Sequence, residues 1–415
     1  MSSDDLDETI TRTYHEQWAR VVAGLARRFG DLDLAEESTA EAFATAVARW
    51  PDEGVPPNPG AWLTVTANRR AIDRIRRETK RDDKQKQAQQ MYDVPPEPTG
   101  PIEDDQLRLI FTCCHPALSV EARVALTLRL VGGLTVPEIA RAFLIQEPAL
   151  GQRITRAKSK IRAARVPYRV PSADDLPGRL ASVRTVLYLI FNEGYLATGP
   201  DTDPVRRELT TEAIRLTRLV RELMPDDGEV AGLLALMLLS GARHAARVSA
   251  TGELVPLHEQ DRGSWDAAVI GEGRSIVRAR LATGIPPGRY QILAAINAVH
   301  TDAADARDTD WSQIVALYDQ LLRIDPSPIV ALNRAVAVAE LDGPEVALSL
   351  VDRLDPSLGR YHAYHVTRAE LLRRLGHSQE SRAAYDTAIG LVGNSAETAY
   401  LSRRRAQLGV RPPTD

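Results

Sequence analysis

The two cysteines of the chain stand side by side with a histidine behind them, Cys113-Cys114-His115 within LIFTCCHPALS. The triplet raises three chemistries: a metal site, a redox pair or a thiol nucleophile. A structural zinc site takes four ligands, usually in spaced pairs, and here there is neither a CxxC nor a second cluster. Consecutive residues on a helix point about 100° apart, so one ion can hardly take both thiols. A vicinal disulfide is strained, and two cysteines in 415 residues suit a reducing cytosol. With Ile110 and Phe111 before them and Pro116 after, Cys113 and Cys114 read as small apolar residues at a helix end. Elsewhere no nucleophile–base pair, metal-ligand spacing or phosphate loop stands out. The expectation is a protein that is not an enzyme and needs no metal or cofactor.

Charge carries more information. The formal net charge is −4, but residues 1–60 hold twelve acids and five bases. Residues 151–170 hold seven bases and no acid, and residues 61–90 nine bases against four acids. Two basic islands in an acidic chain point to an anionic partner touched at two places.

The later island lies in LTVPEIARAFLIQEPALGQRITRAKSKIRAA. Thr135 and Glu138 form a capping box, with Pro137 early in the first turn. A short helix, a break at Leu144–Glu147 and a longer basic helix opened by Pro148 make a helix-turn-helix. At roughly 100° per residue, Leu150, Ile154, Ala157 and Ile161 form one buried stripe of the second helix. Gln152, Thr155, Arg156 and Ser159 then point the other way. Arg153 and Lys160 flank one side, and Lys158 and Arg165 the other. A polar centre for base edges, bordered by cations for phosphates, suits major-groove entry. The expected DNA contacts are Gln152, Arg153, Thr155, Arg156, Lys158 and Lys160.

The earlier island is NPGAWLTVTANRRAIDRIRR, with Ala61, Val65, Ile72 and Ile75 as its expected buried stripe. Asn68 falls within that stripe, so its amide needs partners. Asp73 can bridge Arg69 and Arg77 at i±4. Arg70, Arg74 and Arg77 are left facing outward, towards an anion. Trp62, at the helix start, either packs as a plain aromatic or stacks on an unpaired base. The preceding helix, Asp31–Trp50, carries Glu36, Glu37 and Glu41 on its outer face, which suits a basic protein partner or solubility.

The elements that must hold these residues are helical throughout. Apolar residues make up 44% and charged ones 26% of the chain, while aromatics reach only 5%. Helical periodicity recurs nearly everywhere and period-2 alternation is missing, so the fold class is all-α. Proline, glycine and charge runs divide the chain into 8–79, a linker at 80–102, a helix-turn-helix unit at 103–166, a helical extension at 172–305 and a repeat-like part at 306–410. In the last part, Ala331–Pro356 resembles His365–Gly390, and Gly343 and Gly376 lie 33 residues apart. A two-helix repeat of about 34 residues is the tetratricopeptide pattern. The longest apolar run, Val230–Leu239, is half a membrane span, and the acidic, polar start MSSDDLDETI shows no signal peptide. A cytoplasmic protein with no membrane partner is expected.

Taken together, these residues resemble an extracytoplasmic-function sigma factor of bacterial RNA polymerase. Trp62, Leu63, Ala67, Asn68, Asp73, Arg76 and Arg77 match the pattern of that family's first domain. LTVPEIA at Leu134–Ala140 matches its second. The similarity covers residues 10–165. The long C-terminal part, with LYLIFNEGY at Leu187–Tyr195, is similar to a subgroup with a fused helical domain, and FTCCHPAL resembles a signature of that subgroup. One departure is EPALGQR at Glu147–Arg153, where the family usually carries a run like GTVKSR. Gly151 inside the helix costs about 1 kcal/mol relative to alanine.

The resemblance implies that the first domain docks on the clamp helices of the polymerase largest subunit through Glu36, Glu37 and Glu41. It also implies that this domain opens and captures the minus-ten element through Trp62, Asn68, Arg70, Arg74 and Arg77. The second domain would read the minus-thirty-five element as duplex. In the C-terminal part, Glu193, Asp261, Arg262 and Trp265 are candidates for a regulatory pocket, although such residues more often hold helices together. Its repeats suit a protein or peptide partner. The competing reading is a helix-turn-helix regulator with a tetratricopeptide sensor that never becomes a polymerase subunit. A further one is a scaffold whose basic helices bind an acidic protein.

Overall fold

The computed structural model describes residues 3–81, 102–142, 145–172, 174–196, 205–249, 253–392 and 395–408. Almost all of the expected linker at 80–102 lies outside them. The described residues form nineteen α-helices and a few short 3₁₀ turns, with one isolated antiparallel bridge between Val248 and Leu254 and no strand. The all-α expectation holds. The chain forms two compact units, residues 1–190 and 191–415.

The first unit begins with α1 (Ser3–Phe29), α2 (Leu32–Glu53) and α3 (Pro59–Arg81), which pack on one another. Asp31 starts α2 by accepting hydrogen bonds from the Asp33 and Leu34 amides, the usual work of an N-cap. Trp18, Val22, Leu25, Phe43 and Trp50 fill the core between these helices. Helix α3 turns a different face inward from the one its apolar residues suggest. Leu63, Ala67 and Ala71 are fully buried, whereas Val65 is 49% exposed and Ala61 is exposed. Two alanines let the backbones of neighbouring helices approach closely, and that close packing outweighs the larger apolar side chains one position away.

Helices α4 (Ile102–Cys113), α5 (Val120–Leu130), α6 (Val136–Ala142) and α7 (Glu147–Ala163) complete the unit, and α8 (Leu176–Tyr195) runs across the boundary between the units. Cys113 and Cys114 are buried at the end of α4, unbridged, with the Cys114 sulfur 3.6 Å from the Thr127 hydroxyl. Burial pushes the Cys113 thiol well up and the Cys114 thiol to about 11. Neither is a thiolate near neutral pH, so their role is packing. His115 Nδ1 accepts from the Ala117 amide and closes the turn that follows α4.

In the second unit, α10 (Gly228–Gly241) is buried on every side from Val230 to Ser240. Packed on it are α9 (Arg207–Leu223), α11 (Ala267–Ala282) and α12 (Arg289–Asp302). The rest is a series of consecutive packed helices. These are α13 (Trp311–Ile324), α14 (Pro328–Leu341), α15 (Pro344–Asp352), the single turn α16 (Asp355–Leu358), α17 (His362–Arg374), α18 (Ser378–Leu391) and α19 (Ser395–Ala406). Gly343 (φ 94°) and Gly376 (φ 79°) make the tight turns between α14 and α15 and between α17 and α18. Side chains are strained at such φ values, which explains glycine at both equivalent positions.

Candidate nucleic-acid interface

The capping box at the start of α6 is formed. The Thr135 amide and hydroxyl each lie 2.7 Å from Glu138 Oε2, and the Glu138 amide reaches back to Thr135 Oγ1 at 3.4 Å. On α7, Leu150, Ile154, Ala157 and Ile161 are buried, in the register their spacing requires. Gln152, Thr155, Arg156 and Lys160 are exposed and Arg153 is half-buried. Arg156 donates to Gln152 Oε1 at 3.3 Å, and the Thr155 hydroxyl donates to the Gly151 carbonyl at 3.0 Å. Five of the six expected contacts on this helix therefore keep an outward or flanking position. Gly151 has no neighbour close enough to resist a methyl group, so its cost is helix propensity alone.

Lys158 departs from expectation. It is 7% exposed, donates to Asp33 Oδ1 at 2.9 Å and makes a short ion pair with Glu36. Glu36 departs with it: it is buried rather than on the outer face of α2, and its other oxygen accepts from Arg129 Nε at 2.5 Å. Arg162 adds bonds to Asp31 at 3.0 Å and Asp33 at 2.8 Å. The acidic start of α2 thus grips the inner flank of the recognition helix. Burial alone would raise the Asp33 pKa, but the hydrogen bond and charge of Lys158, with those of Arg162, hold it below the usual carboxylate value. Burial would likewise lower Lys158, and the charge of Glu36 with the bonds to Glu36 and Asp33 holds it above the usual lysine value.

A second contact ties the turn before α6 to α1. The Tyr14 hydroxyl donates to the Gly133 carbonyl at 2.6 Å, and Trp18 Nε1 to the Arg129 carbonyl at 3.2 Å. Gly133 has φ 72°, and a Cβ there would sit 3.1 Å from the Trp18 ring. Only glycine allows both the turn and this approach. Arg129 also lies over the Trp18 ring at 5.3 Å.

On α3 the outward arginines are less free than expected. Arg74 is paired with Glu37, and Arg70 Nε lies 3.9 Å from Glu41. Both acids stand one helix away on α2, so expected DNA contacts and expected polymerase contacts neutralise each other across the α2–α3 groove. These pairs are substantially exposed and therefore weak. Arg77 donates to the Asp73 carbonyl at 3.3 Å through backbone rather than through the carboxylate. Asn68 accepts from Arg28 at 2.9 Å and donates to the Thr64 carbonyl at 2.8 Å, which satisfies its amide. The Trp62 ring meets Trp50 edge-on at 5.5 Å, which makes it a packing aromatic in this conformation.

Residues 14–81 match sigma-70 region 2, and residues 108–161 match sigma-70 region 4. The first part of the chain thus carries two regions similar to those of sigma-70 proteins. Residues 179–281 match a family of unknown function, DUF6596. An uncharacterized protein of Rhizobium meliloti (strain 1021) is 42% identical over 408 residues, spanning 95% of each chain. The chain and that relative belong to one family. The two matched regions support a sigma-factor role in promoter-specific transcription. In the first unit, region 4 leans on region 2 through Lys158, Arg162 and Arg129.

Of the four residues expected to line a regulatory pocket, Asp261, Arg262 and Trp265 lie on one loop and make contacts within the fold. Arg262 donates to the His300 and Ala303 carbonyls, each at 2.6 Å, and lies over the Trp265 ring at 4.9 Å. Asp261 accepts from the Gly263 amide at 2.9 Å and caps its own turn. Arg262 thereby fastens the 257–266 loop to the end of α12, and Glu193 is buried in α8. Asp31, Asp33, Arg129 and Arg162 were not legible as site residues. The sign of their charges was visible, but partners 93 to 131 positions apart leave no local signal.

Proposed function

We propose that this protein is a sigma factor that binds core RNA polymerase, directs initiation at specific promoters and is controlled by its fused C-terminal unit. The supporting observation is the presence of regions 2 and 4 in one chain, with a capped helix-turn-helix whose second helix turns Gln152, Thr155, Arg156 and Lys160 to solvent. Base readout would fall to Gln152, Thr155 and Arg156, and phosphate contact to Arg153 and Lys160. Glu37 and Glu41 would face the polymerase clamp helices. Trp62, Asn68, Arg70, Arg74 and Arg77 would serve the minus-ten element. The domain bounds 8–79, 80–102, 103–166, 172–305 and 306–410, with tetratricopeptide-like repeats in the last, belong to the same proposal. So do the cytoplasmic location and a protein or peptide partner for the repeats.

We further infer that the described conformation is a closed form. Glu36 is spent on Arg129 and Lys158, and Lys158 is withheld from phosphate. Arg70 and Arg74 are spent on Glu41 and Glu37. Polymerase and promoter binding would then require region 4 to leave region 2, and the C-terminal unit would set how readily it leaves. The test is run-off transcription by core RNA polymerase from the DNA upstream of the protein's own gene. A discrete transcript should appear only when the protein is added. A variant ending after Leu196 should change that output in cells, and unchanged output under every growth condition would remove the regulatory half of the proposal.

A further inference from the structure

The second unit contains a cavity of about 230 Å³ whose polar wall is Tyr195, Arg243, Arg247 and Gln260. Its apolar wall includes Leu254, Val366 and Leu401. At about 30 Å³ per water, the space holds roughly eight waters or one small organic molecule.

The two arginines are unusual in their surroundings. Arg243 is 7% exposed. It donates to the Tyr195 hydroxyl and to Asn297 Oδ1, each at 3.1 Å. Arg247 donates to the Tyr195 carbonyl at 3.1 Å, and its guanidinium lies flat over the Tyr195 ring, 3.5 Å from the centroid. All these partners are neutral. Among the described residues neither guanidinium has a carboxylate at ion-pair distance, and burial lowers the Arg247 pKa. The Nε atoms of both arginines and the Oε1 of Gln260 have no hydrogen-bond partner. The Gln260 amide nitrogen donates to the Val255 carbonyl at 3.0 Å, which orients the side chain and leaves Oε1 without a partner. Part of the hydrogen-bonding capacity of this cluster, at these three buried atoms, is therefore not spent among the described residues.

One carboxylate, that of Glu397, shares the cavity wall with the two arginines. Burial raises the Glu397 pKa, while the charges of His362, 3.8 Å away, and of Arg247 lower it. His244, next to Arg243 in sequence, is lowered to about 4 by burial and by the charges of Arg247 and Arg207, so it is neutral near pH 7. A buried cation without a counter-charge is costly. Two guanidiniums against the one carboxylate of Glu397, held by neutral hydrogen-bond partners on the wall of a partly apolar cavity, leave an excess positive charge preorganised for an anion.

We propose that this cavity binds a small organic anion, a carboxylate or a phosphate monoester on a short apolar body. Arg243 and Arg247 take the anionic group, and Leu254, Val366 and Leu401 take the apolar part. The proposal deepens the regulatory reading above by giving the C-terminal unit a ligand class.

Its test is direct binding to the full chain, which needs neither polymerase nor promoter, so its failure is separate from failure of the sigma reading. Hexanoate, hexyl phosphate and uncharged 1-hexanol serve as probes in calorimetry and thermal-shift measurements. Hexanoate or hexyl phosphate should bind saturably and raise the melting temperature, and 1-hexanol should do neither. The anion that binds more tightly identifies the headgroup. Arg247→Gln should weaken binding about thirtyfold or more. Leu254→Trp fills the cavity from its half-buried rim while both arginines are retained, and should abolish binding even if the arginine variant fails to fold. Absence of saturable binding by either anion, equal binding of 1-hexanol, or undiminished binding by the Leu254→Trp protein would each overturn the proposal.

Discussion

At the scale of single residues, Cys113, Cys114, Glu36 and Lys158 show how burial decides chemistry. Fully buried thiols with raised pKa values are poor nucleophiles. Both cysteines should resist alkylation in the native protein at pH 8 and react together on unfolding, as mass spectrometry of iodoacetamide-treated protein would read. Rapid labelling of either one in the native state would revive a reactive-thiol role. Glu36 is the acid shared by Arg129 and Lys158. Removing one member of a buried charge cluster leaves the others uncompensated, so Glu36→Gln should destabilise the first unit by about 3 kcal/mol. Urea unfolding followed by circular dichroism would measure it, and an unshifted midpoint would show that the cluster contributes nothing to closure. The cysteine reading was available from residue type and neighbours alone. The Glu36 reading was not, because a glutamate on the polar side of α2 looks solvent-facing until α5 and α7 arrive against it.

At the scale of elements, α7 and α3 make an instructive pair. The stripe of α7 was legible because Leu150, Ile154 and Ile161 are its only large apolar residues, so one face dominates. In α3 the apolar residues are spread around the helix, and the buried face is set by Ala67 and Ala71. Periodicity weights side-chain size, whereas close helix packing rewards smallness, so the phase of α3 could not be read from the sequence. The surviving outward face of α7 yields a separable prediction. Arg156→Ala should relax base preference at one promoter position by about 1–3 kcal/mol. Lys160→Ala should weaken binding to all sequences alike and reduce the slope of log affinity against log salt by about one. Fluorescence anisotropy on matched and mismatched duplexes across a salt series distinguishes the two. Identical behaviour of both variants would contradict the division into base readers and phosphate contacts.

At the scale of the whole molecule, fold class and the presence of two nucleic-acid-binding domains were legible from composition, capping and charge islands. The clasp between regions 2 and 4 was not, since it depends on contacts between residues 93 to 131 positions apart. Its consequence is that the same charges serve two states. Asp31 and Asp33 belong to the clasp and to neither expected binding face, so Asp31→Asn with Asp33→Asn loosens closure while asparagine keeps the helix cap. Losing these partly exposed pairs amounts to about 1 kcal/mol, or about fivefold in the open population. The most direct measurement is run-off transcription with purified core RNA polymerase on the DNA upstream of the protein's own gene. It compares no added factor, the wild-type chain and the Asp31→Asn, Asp33→Asn chain. A discrete transcript that requires the protein, and that strengthens about fivefold with the double variant, is the predicted result. Equal initiation by core polymerase alone would contradict the account.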